Sequence, residues 1–172
     1  MRAKPSAVIN SSPLIALVAG LPDFDVIGGI VGKMIVPGEV LAELAVGGHR
    51  DATAARVIAA PWCEVRDPLP PQAAPLVMSL GRGEAAVIQT ALNDRLPLVV
   101  IDEVRGRRAA RLAGLTVIGS LGFLVELHRA GLLPSVSEAI QAMRQKGIHL
   151  APHLIALTLR AAAEAQAGGT QG

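Results

Sequence analysis

A chain of 172 residues suits one domain with its own core, and 51% hydrophobic against 17% charged residues excludes an intrinsically disordered protein. That balance leaves apolar surface which burial in a dimer or against a partner chain would cover. A net charge of only +2, despite a pI of about 9.2, excludes the global positive field behind indiscriminate nucleic-acid binding, so any basic patch is local.

The first apolar run, Ala7 to Ile9, reads as a brief strand. Ser12 can then cap a helix whose first position is Pro13, where a missing N–H costs nothing, and the helix runs through "PLIALVAG" to Gly20. After a second short helical piece, "KMIVP" reads as a strand, and Pro37 starts the helix "PGEVLAELAVGG", which ends at a glycine pair. "DATAARVIAA" is helical, "CEVRD" a weak strand and the proline-rich "DPLPPQAAP" a connecting loop. "GRGEAAVIQTALNDR" is again helical, followed by "LPLVVI", a continuous apolar strand of the buried parallel type. "DEVRGRRAARLAG" forms a helix closed by Gly114, and "LTVIGS" supplies one more strand. Helices fill the remainder, "LGFLVELHRAG", "SVSEAIQAMRQK" and "PHLIALTLRAAAEAQ", the last fading into a frayed "AGGTQG".

Alternating strands and helices predict an α/β fold with a parallel sheet covered on both faces. Cys63 has no second cysteine to pair with, and no basic segment followed by an apolar run and a cleavage site opens the chain, so the cytoplasm is the expected compartment. Glycine, proline or charge interrupts every apolar run before the roughly 18 residues a membrane span needs.

Parallel α/β sheets place ligand sites beyond the carboxyl ends of their strands. Four residues qualify: Asn10, Glu43, Glu84 and Asp102. Asp102 leaves the apolar run "LPLVVI", either into a site or as the cap of the next helix. Glu84 projects along the direction of Val87, Ile88 and Ala91 at about 100° per residue, so an acid points along the apolar face, although it could simply complement the helix dipole. Glu43 flanks the Val40, Leu41 and Leu44 stripe and by itself is a surface acid. Asn10 by itself could support the Ser12 cap and turn. Gathered at one end of one sheet, however, three carboxylates repel unless a cation neutralises them. Magnesium and manganese prefer such oxygen ligands and retain water and substrate phosphate, which makes the set a candidate for phosphodiester hydrolysis.

The stretches "VINSSPLI", "IVPGEVLAEL", "LGRGEAAVIQTA", "LVVIDEVRGRRAARLAGLTVIG" and "LGFLVELHRAGLL", in this order and spacing, make the chain resemble the PIN domain family, over roughly residues 5 to 155. The resemblance implies a three-layer α/β/α sandwich with a central parallel sheet over residues 1–155, leaving residues 156–172 as a C-terminal helix extension and tail. It implies a magnesium- or manganese-dependent ribonuclease, often the toxin of a toxin–antitoxin module held inactive by a small antitoxin protein. Carried over by position, Glu43, Glu84 and Asp102 match the second, third and fourth acidic sites. Asn10 occupies the first, where active members usually have aspartate, and Ser11 and Ser12 match the hydroxyl positions that follow. An amide oxygen can still coordinate a metal or its water but brings no charge, which lowers metal affinity.

Arg105, Arg107, Arg108 and Arg111 crowd one helix just after Asp102, as an RNA phosphate contact or as a solvated face paired with acids such as Glu103. With Phe24, Trp62 and Phe123 as the whole aromatic complement, a base-stacking platform is not expected. His149 and His153 are separated by Pro152, which breaks the helix that would align them. "GRG" lacks the remaining glycine of a dinucleotide fingerprint and suits a tight turn into the helix. The expectation is thus a cytoplasmic metal-dependent endoribonuclease, a homodimer with an antitoxin partner, and the alternative is a non-catalytic binding module with a degraded metal site.

Overall fold

The strands form where short apolar runs can be buried on both faces. In the computed structural model, which describes residues 4–46, 50–68 and 80–169, these are β1 (Ala7–Ile9), β2 (Met34–Pro37), β3 (Cys63–Arg66), β4 (Leu98–Val100) and β5 (Thr116–Ile118). Every residue of β1 and β2 is buried, as expected of central parallel strands, whereas β3 and β5 at the edges are partly exposed. All four pairings among these strands are parallel, in the order β3-β2-β1-β4-β5. β4 is shorter than the run "LPLVVI" because the Leu96 N–H turns back to Ala91 O at 2.8 Å and Pro97 has no N–H to give to a ladder.

The helices are α1 (Ser11–Gly20), α2 (Gly38–Ala45), α3 (Arg50–Ala59), α4 (Arg82–Asn93), α5 (Val104–Leu112), α6 (Ser120–Arg129), α7 (Val136–Gln145) and α8 (Pro152–Gly169), with a 3-10 turn over Phe24–Gly29. α4 lies against β1, β2 and β4 with α5 beside it, while α1 packs with α6 and α7. The helices flank the sheet, giving the three-layer α/β/α sandwich. α1 is buried nearly all round, through Pro13, Leu14, Ala16, Leu17, Ala19 and Gly20, which matches its almost wholly apolar composition. α5 closes as expected on Gly114, at φ 81°, with the Leu115 N–H bonded to Ala110 O at 3.0 Å, a left-handed turn that glycine adopts without strain.

The start of α1 differs from the expected one. Asn10, not Ser12, is the residue before the first turn, and it makes no side-chain cap. Pro13 is the third helical residue, still within the four positions whose N–H has no helical partner. Ser120, expected at the end of a strand, is the first residue of α6. α8 runs unbroken across the proposed boundary after residue 155, packs on α6 and α7, and buries Thr158 and Ala162. The glycine pair after α2, residues 69–75 of "DPLPPQAAP" and the last residues of "AGGTQG" lie outside the described residues. Among the described residues no helix is long and apolar enough to cross a membrane.

Candidate functional site

The chain extends the sheet from β1 to β2 to β3 on one side, then returns to the other side of β1 for β4 and β5, so the order reverses between β1 and β4. A crevice opens at such a reversal, beyond the carboxyl ends of the two strands. The Asn10 N–H donates to Val100 O at 3.0 Å, which sets the exits of β1 and β4 side by side. Residues 10–12 and 101–103 therefore face each other although about ninety positions separate them.

Asn10 is 2% exposed and its Nδ2 donates to Glu103 Oε2 at 3.3 Å, while its Oδ1 is buried without a donor. Ser12 Oγ donates to Glu103 Oε1. Glu103 is thus a site residue that sequence reasoning placed among the partners of the arginine face. It precedes α5 and turns its carboxylate onto the start of α1 instead. The acidic pair "DE" directly after an apolar strand was the available signal.

Glu43 is not the surface acid that it reads as in isolation. Half-buried on α2, it accepts from Ser11 Oγ at 2.6 Å and from the Gly83 N–H at 2.9 Å, joining α1, α2 and the first turn of α4. A β-carbon on Gly83 would stand 2.6 Å from Glu43 Oε2, so the absence of a side chain there lets the carboxylate in. Glu84 caps its own helix with one oxygen and buries the other. Its Oε2 accepts from the Gly81 N–H at 3.1 Å and caps α4, while its Oε1 is buried without a donor against Gly106 of α5.

Asp102 is not the cap of α5, a place Glu103 takes. Its Oδ1 accepts from the Ser120 N–H at 2.7 Å, at the first turn of α6, where the helix dipole favours an anion. Burial pushes its carboxyl above the ordinary carboxylate value, a shift opposed by the Ser120 hydrogen bonds. The four arginines separate. Arg107 is half-buried, donates from Nη1 to Ile101 O at 3.0 Å and stands beside Asp102. Its guanidinium is held below its usual value by burial and then by Arg111. Arg105, Arg108 and Arg111 lie on the exposed side of α5.

An open cleft of about 730 Å³ begins at Ser12, Asp102 and Arg107 and continues past His149 to Leu154 and Leu157 of α8. The carboxylates of Glu43, Glu84, Asp102 and Glu103 all accept from protein donors. Among the described residues no three His, Cys, Asp or Glu side chains stand close enough to hold one ion. Hydrogen bonds gather Asn10, Ser12 and Glu103 in one group and Ser11, Glu43 and Gly83 in another, and two side-chain oxygens, Asn10 Oδ1 and Glu84 Oε1, are buried without a hydrogen bond.

No curated protein matched the chain. A family model described as a PIN domain matches residues 6–164, from the first strand well into the last helix, and the chain belongs to the PIN domain family, whose fold is of the nuclease type.

Proposed function

We propose that this protein is a divalent-metal-dependent endoribonuclease, the toxin of a toxin–antitoxin module, working in the cytoplasm as a homodimer that a small antitoxin protein holds inactive. The observation that supports a metal-dependent reaction is the pair of orphaned buried oxygens, Asn10 Oδ1 and Glu84 Oε1. A buried acceptor left unbonded costs about 1–3 kcal/mol, and a cation would relieve that cost. The donor set fits magnesium or manganese in kind, being wholly carboxylate and amide oxygen. Asn10, Glu43, Glu84 and Asp102 are the oxygen donors proposed for the ion, which would have to draw their carboxylates together from positions where no three of them share a ligand shell; when bound it would polarise the phosphodiester and activate water for attack.

The chain's own residues orient and exclude. Ser11 and the Gly83 N–H hold Glu43 in place, and the Ser120 N–H holds Asp102. Ser11 and Ser12 donate to Glu43 and Glu103, so their hydroxyl protons position carboxylates and are not available to RNA phosphates. Arg105, Arg108 and Arg111 offer exposed guanidinium groups to the RNA backbone, whereas Arg107 holds the strand exit.

Magnesium- or manganese-dependent cleavage of RNA, lost in Asp102→Asn, tests this reading. A second reading, a binding module without catalysis, is favoured by the protein donors that already engage all four carboxylates. A calorimetric titration with manganese that yields no site-specific heat would select it.

A further inference from the structure

We propose that the aliphatic part of the open cleft, lined from α5, β5 and α8, is a subsite for one unpaired nucleobase of an RNA strand whose phosphates run along α5. The subsite rests on the reading of RNA as the substrate, but it requires no ion.

α8 already gives Thr158 and Ala162 to the buried interior. Leu154 and Leu157, three residues apart and so on one side of that helix, nevertheless stay exposed in the lining of the cleft. Val104 of α5 and Ile118 at the end of β5 extend the aliphatic lining, and Val104 is 81% exposed. Large aliphatic side chains left in water along a cleft mark a place where something else is buried. The volume of about 730 Å³ lies within the range of ~300–1,000 Å³ common to small-ligand clefts.

Charge decides what the ligand is. Arg108 and Arg111 follow Val104 at four and seven residues, so these exposed cations share its side of α5. Asp102 is the one carboxylate among the described lining residues, and its Oδ1 is held by the Ser120 N–H. A ligand that sets an anionic chain beside the arginines and a flat apolar group among the aliphatic side chains satisfies both surfaces. Single-stranded RNA is built in that way, whereas the bases of a duplex stay stacked inside it. His149, exposed in the same lining, adds a ring against which a base can stack, a role closed to Phe24, Trp62 and Phe123, which are all buried. Because Asp102 lines the same cleft, a base held there adjoins the candidate reaction site.

Fluorescence anisotropy in EDTA, with a labelled single-stranded RNA octamer, reads binding without cleavage. Wild-type protein binds the octamer, and binds a duplex of the same sequence more weakly. Leu154→Ser combined with Leu157→Ser weakens octamer binding by about tenfold or more, and His149→Ala weakens it several-fold, with melting temperatures unchanged because all three side chains are exposed. An octamer of abasic residues, which keeps the phosphates and lacks the bases, binds wild type at least as weakly, and the two serines cost it nothing further. This strand tests the same contact with no change in the protein. Octamer binding that the leucine and histidine variants leave unchanged overturns the proposal, gives the face to a protein partner and leaves the RNA reading standing. A loss equally large for the abasic strand also overturns it, since the leucines would then touch the backbone. A wild-type dimer in sedimentation that the two serines turn into a monomer gives the face to a second copy and overturns it. Wild-type protein that binds no RNA in EDTA overturns it as well, while the nuclease reading falls only if metal-dependent cleavage is absent too.

Discussion

Gly106 of α5 lies so close to Glu84 of α4 that a β-carbon on the glycine would stand 2.5 Å from Glu84 Oε1 and 3.0 Å from Ile101 Cγ2. The bare backbone of one helix thus makes the space in which the acid of another is buried. Gly106→Ala displaces the carboxylate, the far end of a flexible side chain, rather than the fold. Alanine is also the better helix former by about 1 kcal/mol. The expected outcome is a loss of metal affinity and RNA cleavage of about 10- to 100-fold with little change in melting temperature. Parallel melts and cleavage rates check it, and a large fall in melting temperature with activity intact would contradict it.

Gly83→Ala repeats the experiment on the other half of the site. Its new β-carbon would meet both Glu43 oxygens, at 2.6 and 2.7 Å, and break the hydrogen-bonded link to Ser11. Cleavage should fall while the protein stays folded, as circular dichroism and a rate assay would show.

Asp102 couples stability to pH. Burial raises its native value above the unfolded one, so its stabilising contribution is fully present below about pH 4 and is lost as pH rises through the native value. Asp102→Asn keeps an oxygen for the Ser120 N–H and removes the charge. It is therefore expected to melt higher than wild type at pH 7, with the difference shrinking towards pH 4, while RNA cleavage is abolished. Melts at both pH values decide the sign.

The arginines of α5 should separate by role. Arg108→Ala weakens RNA binding and lowers the slope of log affinity against log salt by about one phosphate contact. Arg107→Ala loses its bond to Ile101 O and costs about 1–2 kcal/mol of stability. Salt-dependent binding curves and denaturant titrations distinguish the two.

Cys63 is expected to resist thiol reagents. Burial pushes its thiol up to about 12, so almost no thiolate exists at neutral pH. Alkylation should be slow in the native protein and fast after denaturation, which a timed labelling series would reveal.

Much of the fold was legible in the chain because the information is local. The Ala7–Ile9 strand and the Gly114 closure follow from an apolar run and a glycine conformation that need no distant partner, whereas Gly20, which ends α1 in helical conformation, leaves room for Met143 of α7. The start of α1 was misread because a serine before a proline suits a cap by propensity, yet Ser12 has a better partner in Glu103, 91 residues away. Asn10 and Asp102 could be picked out as strand exits. Glu43 could not be told from a surface acid, since the donors that hold it, Ser11 and Gly83, come from two other helices.

Local periodicity and turn chemistry by themselves determined that alternating strands and helices would build a parallel sheet with polar groups at its strand exits. Only the tertiary structure decided that Glu103 turns to Asn10 and Ser12 at the neighbouring strand exit. The reason is physical: propensity acts over a few residues of chain, whereas the direction a carboxylate takes depends on which donors the packing of distant segments brings within 3 Å or so.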